Sequence, residues 1–220
     1  MKEALLNFLA LLGWNPKTEQ EIFSIEELTA VFDLSAVNKA GAVFDVPQLD
    51  WMNSQYLRKL TLEQLTEKLL PYWKEAGLKT EGWPTGYLSA VAGLEQERLK
   101  KLSDIVERTA YFFAAPTFAD PSAIIWKKST AEDAKKKLTD LAGLVSEMGE
   151  QVTDKVFFEE KVKAYIAENG GDNGSVLWPL RFAITGQAMS PGPFEVASTL
   201  ALGWGSGEVS KRLLAAAELL

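Results

Sequence analysis

Histidine and cysteine are both absent from this chain of 220 residues, and each absence excludes a class of chemistry. Without cysteine there can be no disulfide and no thiolate zinc site, a composition that suits a reducing cytoplasm. Without histidine, no imidazole-bearing catalytic signature can be present. The phosphate loop Gly-x-x-x-x-Gly-Lys-Ser/Thr is missing, and no Gly-x-Gly-x-x-Gly follows an apolar strand. No apolar run approaches the ~20 residues needed to span a bilayer, and the N-terminus has no cleavable signal pattern. Internal repeats and low-complexity tracts are also lacking. Neither metal nor covalent chemistry finds an obvious foothold.

What remains is an ordinary globular composition, 47% hydrophobic and 24% charged, able to bury a core in one to three units. The net charge is −7 and is spread along the chain: −3 over residues 1–60, −2 over 61–120 and −2 over 121–220. A nucleic-acid binder normally shows a basic footprint, so any such contact must use local clusters. The candidates are Arg98 with Lys100 and Lys101, Lys127-Lys128, Lys135 to Lys137, and Lys211-Arg212. Each, taken alone, reads as a solvated helix face.

Periodicity predicts a mostly helical chain. Leu62, Leu65, Leu69 and Trp73 form one stripe, and Leu138, Leu141, Leu144, Val145 and Met148 another. Leu88, Val91, Leu99, Leu102, Val106 and Ala110 form a third, broken near Ser103. Capping boxes are expected at Ser24/Glu27, Thr61/Gln64 and Ser129/Glu132. Gly13, Gly77 and Gly170-Gly171 are expected to close helices in the left-handed conformation. Residues 36–46 suit a loop plus a short strand, the one credible β element, with Pro47 opening the next helix. Two seams, 77–86 and 114–129, interrupt the helical pattern.

Two blocks then stand out. Ala4-Leu5-Leu6-Asn7-Phe8-Leu9-Ala10-Leu11-Leu12-Gly13-Trp14 continues through Val43-Phe44-Asp45 to Leu49-Asp50-Trp51-Met52-Asn53. Far downstream lies Pro179-Leu180-Arg181-Phe182-Ala183-Ile184-Thr185-Gly186, followed by Ser190-Pro191-Gly192. In this order and at this separation they resemble the C-terminal half of bacterial-type glutamyl-tRNA synthetase (glutamate–tRNA ligase). The resemblance covers essentially the whole chain and is strongest in residues 4–14, 21–70 and 179–195. A class I enzyme of that kind activates its amino acid at a His-x-Gly-His-type signature, which a chain without histidine cannot carry. The resemblance therefore implies the RNA-reading half of a ligase without its catalytic domain, whether as an excised piece or as a separate chain.

By composition Arg98 is a surface arginine paired with Glu95, three residues back. The resemblance implies that it reads the last anticodon base. Cytosine there offers O2 and N3 as acceptors to a guanidinium, whereas guanine offers N–H donors that arginine cannot satisfy. Ser190, Pro191, Gly192 and Pro193 read as a helix start, with Phe194, Val196, Ala197 and Leu200 packing behind. A helix N-terminus suits phosphates and base edges, and the family's Ser/Thr-Pro-Gly segment lines the anticodon pocket. Pro193 stands where the family has a bulky aliphatic residue. Arg181, in an apolar helix, is expected to meet a carboxylate at the core rim, and by the resemblance also faces the anticodon loop. After Leu200 the segment Leu202 to Glu208 is longer than the family's and lacks its lysine.

The N-terminal block resembles the stem-contact fold. Lys39, Asn53 and Gln55 are its candidates for sugar and phosphate contact, which positions RNA without reading it. Trp51 is expected in the core, and Asp50 replaces a usual basic residue. Trp73, Trp126 and Trp178 also read as core rather than stacking platforms.

The expected architecture is mainly all-α: a stem-contact-like unit at 1–60 with a minor β element, and helical anticodon-binding units at 61–120 and 121–220. The resemblance implies tRNA(Glu) as partner, with no DNA and no membrane, for a cytoplasmic monomer. No cofactor is expected in this chain; ATP and Mg2+ belong to the parent enzyme. The rival reading is a helical scaffold for protein partners, supported by the acidic balance.

Overall fold

In the computed structural model, which describes residues 1–38, 41, 43–170 and 172–220, eleven α-helices are present and no strand occurs among the described residues. The first four are α1 (Lys2–Gly13), α2 (Ile25–Val31), α3 (Val46–Arg58) and α4 (Leu62–Glu75). Then come α5 (Tyr87–Glu95), α6 (Ile105–Phe113), α7 (Ala131–Met148), α8 (Lys155–Glu168), α9 (Asn173–Thr185), α10 (Pro193–Trp204) and α11 (Ser206–Glu218). The all-α expectation holds, and both seams fall between helices.

The expected strand at 36–46 does not form among the described residues. A 3-10 turn takes Leu34–Ala36, capped by Asp33, and leaves Val37 alone to make one antiparallel bridge with Trp14. Capping boxes occur at Ser24/Glu27 and Thr61/Gln64. The third cap is shifted by one residue: Thr130 accepts from the Asp133 amide, while Ser129 donates to the Asp133 carboxylate. Gly77 and Gly170 do adopt positive φ (72° and 96°). Gly13 does not; it ends α1 inside the helix, and Gly171 lies outside the described residues. Trp51 is 42% exposed rather than in the core. It follows Asp50 on the solvent side of α3, whose buried face is Met52, Asn53, Ser54 and Leu57.

One hydrophobic cluster runs from Leu57 to Ala217 and contains Leu65, Leu69 and Trp73 of the first stripe and Leu138, Leu141, Val145 and Met148 of the second. Helix α7 lies along α11 and α9, and α10 is wedged among α5, α8, α9 and α11. Ala4, Phe8, Trp14, Phe23 and Met52 are buried outside this cluster, toward the N-terminal helices. Buried Asn7 ties this region together: it donates to the Glu21 carbonyl and accepts from the Phe23 amide and the Tyr56 hydroxyl.

Helix ends leave their last carbonyls without intrahelical donors, and the end of α6 shows how side chains supply them. The Tyr87 hydroxyl and the Trp204 indole both donate to the Phe112 carbonyl, at 2.7 and 2.8 Å. Arg212 Nη1 donates to Tyr111 O (2.7 Å) and to Ile184 O on α9 (3.0 Å), and Nη2 donates to Ala114 O (3.2 Å). Its Nε holds Glu208 at 2.9 Å. Buried Arg212, grouped by sequence with Lys211 as an RNA-facing cation, is therefore the bolt that joins the C-terminal ends of α6 and α9 to α11.

Candidate nucleic-acid interface

The third apolar stripe breaks between α5 and α6, and the break gathers the cations. A 3-10 turn at Gln96–Arg98 follows α5, and a second at Leu102–Asp104 leads into α6. Between them Leu99 plunges into the core while Lys100 and Lys101 stay at the surface. This connection is fastened to α3. Arg58 Nε meets the Glu97 carboxylate at 3.0 Å and Nη2 donates to the Glu97 carbonyl. Gln96 donates to the carbonyls of Leu57 and Leu60, and Asn53 donates to the Lys100 carbonyl. The Asp104 carboxylate accepts from the amides of Lys100 and Lys101.

Glu95 lies beneath, 1% exposed, with Arg98 at 3.0 Å on one oxygen and Arg108 of α6 at 3.4 Å on the other. Burial pushes the Glu95 carboxyl above its ordinary range, against the pull of the two arginines. Both guanidiniums stay about a third exposed, so they hold the acid and keep donors facing outward. The result is an open basin of about 560 Å³ lined by Arg98, Lys100, Lys101 and Arg108, with Gln187 and Met189 arriving from the turn after α9. Asp50, Asp104 and Glu107 also border it, and Asp50 pairs with Lys101 at 3.5 Å. Gln187 fixes that turn by donating to the Glu107 carbonyl.

The other sequence candidates are placed differently. Gly186 closes α9 in the left-handed conformation at φ 69°. Ser190 is buried and its hydroxyl donates to the Pro191 carbonyl. Arg181 donates to the Ser190 carbonyl at 3.3 Å, where a carboxylate was expected. Pro193 opens α10 with Gly192 as N-cap, and Phe194, Val196, Ala197 and Leu200 are buried behind it, as the sequence suggests. The amide end of α10 is covered, however. A Cβ on Gly192 would stand 2.1 Å from Glu195 Oε2, so the carboxylate folds back over this turn, and its other oxygen pairs with Lys155 at 3.2 Å.

Among the stem-contact candidates, Asn53 is buried and spends its amide on Lys100, so it positions the basin wall from below. Gln55 is half-buried and donates to Ser54 at 3.4 Å. Lys39 lies outside the described residues. Of the other basic runs, Lys136 and Lys137 pair with Asp140 and Asp133, and Lys127-Lys128 stay exposed. Arg108, Gln187 and Met189 escaped the sequence reading because they lie 10 to 91 residues from Arg98, and only the packing of α6 beside the α9 turn unites them.

Residues 64–217 match the family described as the anticodon binding domain. The chain belongs to that family. Residues 1–51 match the catalytic domain of class I tRNA synthetases (E and Q), so a short piece of catalytic-domain sequence accompanies the anticodon-binding stretch. A glutamate–tRNA ligase of Clostridium botulinum (strain Eklund 17B / Type B) is 36% identical over 222 residues, covering 100% of this chain and 44% of that protein. One of Phocaeicola vulgatus is 32% identical over 220 residues, covering 100% of the chain and 41% of that relative. The crystal structure of glutamate–tRNA synthetase from Elizabethkingia anophelis superposes with a TM-score of 0.81 at 27% identity, covering 98% of this chain and 40% of that one. The chain thus spans less than half the length of these relatives. The likeness to the glutamyl-tRNA synthetase family drawn from the two sequence blocks holds.

Proposed function

We propose that this chain binds tRNA(Glu) and reads its anticodon, positioning the RNA for aminoacylation by an ATP- and Mg2+-dependent catalytic domain of the parent ligase. The observation that carries the reading is the gathering of Arg98, Lys100, Lys101 and Arg108 around one basin within the stretch that matches the anticodon-binding family. In a chain of net charge −7, phosphate contact has to be local, and this basin supplies it. Arg98 presents planar donors suited to cytosine O2 and N3 at the last anticodon base. Arg181, Ser190, Pro191, Gly192 and Pro193 shape the adjoining turn. On this reading Lys39 and Gln55 touch the stem, and Asn53 serves the stem-facing unit by holding the Lys100 loop. The division into units at 1–60, 61–120 and 121–220, the monomeric state and the cytoplasmic location belong to the same proposal. The family matches do not favour the protein-binding scaffold.

Titration with tRNA(Glu) at two salt concentrations tests it. Binding that weakens steeply with salt is expected, and no binding at low salt would defeat it. Charging assays with glutamate, ATP and Mg2+ should show no product above background, because the chain has no histidine for the ATP signature.

A further inference from the structure

Met189, in the turn between α9 and α10, is 80% exposed, and beyond residue 51 no other large apolar side chain among the described residues is as open to solvent. The backbone around it is held on both sides. Two residues earlier, Gln187 donates its side-chain amide to the Glu107 carbonyl and its backbone amide to Thr185 Oγ1, each at 3.0 Å. Directly after it, Ser190 is buried and its carbonyl accepts from Arg181 at 3.3 Å. The polar neighbours are thus fastened inward, and the thioether is left outside on the wall of the cationic basin. Among the residues that line this basin Met189 is the one apolar side chain; the others are charged or carry an amide. A phosphate or a carboxylate would use the cations and leave the thioether idle. An unstacked nucleotide brings both complements, an anionic phosphate for the arginines and lysines and an apolar π-face for the polarizable sulfur. Two acids at the border are already engaged: Asp104 accepts from the amides of Lys100 and Lys101, and Asp50 pairs with Lys101.

We propose that Met189 is a base-contact residue of the nucleotide site, its thioether packing against the face of an unpaired anticodon-loop base whose phosphates meet the cations of the basin. The proposal rests on the RNA-binding reading above. A contact to the face of a base uses no donor or acceptor, so it holds any base and leaves discrimination to Arg98. The fastening of Gln187 and Ser190 has a purpose on this account. A side chain whose backbone is already fixed loses less freedom when the base arrives, so more of the contact appears as affinity.

The test is Met189→Ala and Met189→Leu in the whole chain, titrated with tRNA(Glu) and with the same tRNA made abasic across its anticodon loop. Leu214→Ala, on α11 and outside the basin lining, is the control for an exposed apolar residue. Wild-type binding of tRNA(Glu) is measured first; if there is none, the RNA reading fails and the proposal falls with it. Given binding, Met189→Ala should weaken the intact tRNA roughly three- to tenfold, the upper range of a sulfur–aromatic contact. The loss should be equal at both salt concentrations, because no phosphate contact is removed, and it should vanish on the abasic RNA. Met189→Leu, apolar and of similar volume, should recover most of the affinity, and Leu214→Ala should leave it unchanged. A loss as large on the abasic RNA as on the intact one shows a backbone contact or a general disturbance of the turn, and overturns the proposal. Unchanged affinity of Met189→Ala for the intact tRNA also overturns it, and leaves the RNA reading standing.

Discussion

The connection at 95–108 and the turn at 186–195 look equally promising as sequence, one rich in arginine and lysine, the other a Ser-Pro-Gly ahead of a helix. Their structures part company. At 95–108 the buried Glu95 takes hold of Arg98 and Arg108 from below and leaves both exposed enough to bind. At 186–195 the polar groups face inward: Ser190 bonds its own segment, Arg181 bonds Ser190, and Glu195 covers the start of α10. A cation becomes available when its anchoring acid lies beneath it. A helix start becomes available only when its own first-turn carboxylate stays away. The first region is built to present charge, and the second to shape the wall beside it.

Arg212 ties the end of α6, which follows the first region, to the end of α9, which precedes the second, so its loss should disturb both. Arg212→Met would leave Glu208 without this partner and strip the carbonyls of Tyr111, Ala114 and Ile184 of their donor. Removing one member of a buried pair costs on the order of 3–5 kcal/mol. The urea midpoint should fall accordingly, and tRNA binding should fall with it. A variant as stable as wild type would show that α6, α9 and α11 do not depend on this bolt.

The next effect should be confined to the first region. Arg98→Gln should narrow the preference for cytosine over guanine at the last anticodon base, by analogy with groove readout worth ~1–3 kcal/mol. Lys100→Ala should instead weaken all tRNAs alike and flatten the salt dependence, as phosphate contacts do. Two tRNAs differing only at that base, titrated against wild type and each variant, separate the two roles. An unchanged affinity ratio for a folded Arg98→Gln would reduce the arginine to an ion-pair partner.

The contrast also explains what could be read from sequence. Helix positions, the two seams and the apolar stripes were legible because each is set within about 20 residues by periodicity, caps and prolines. The Arg98–Glu95 pair was legible for the same reason, at a spacing of three residues. Arg212 was misassigned because a sequence window shows an exposed Lys-Arg dipeptide, whereas the carbonyls it holds lie 28 to 101 residues away. Asn53 was read as RNA-facing for want of knowing that α3 packs under Lys100. The strand at 36–46 depended on a pairing partner, and Trp14 provides only one bridge.

Acidity offers a finer probe of the anchoring acid. The Glu95 carboxyl is raised above its ordinary 4.5 by burial, so the folded state holds its proton more tightly than the unfolded one. A raised folded value means that this contribution to stability is complete below 4.5 and is lost as pH rises through the folded value. The wild-type urea midpoint should therefore decline, relative to Glu95→Gln, as pH climbs from 4.5 toward neutrality. Parallel profiles for the two proteins would show that burial does not dominate at Glu95.

The smallest effect separates the two regions most finely. Glu195 pairs with Lys155 at the surface and sits in the first turn of α10, where a carboxylate interacts well with the helix dipole. Removing its charge as Glu195→Gln should cost under about 1 kcal/mol of stability, the range of an exposed ion pair or a dipole contact. The same change removes the carboxylate charge that lies over the amide end of α10. If the turn merely shapes the wall, tRNA affinity should stay within about twofold of wild type, a difference of roughly 0.4 kcal/mol. If it seats a phosphate, losing the competing carboxylate should tighten binding at low salt by more than that. Such tightening, with Arg98→Gln without effect, would reverse the assignment and make the start of α10 the presenting surface.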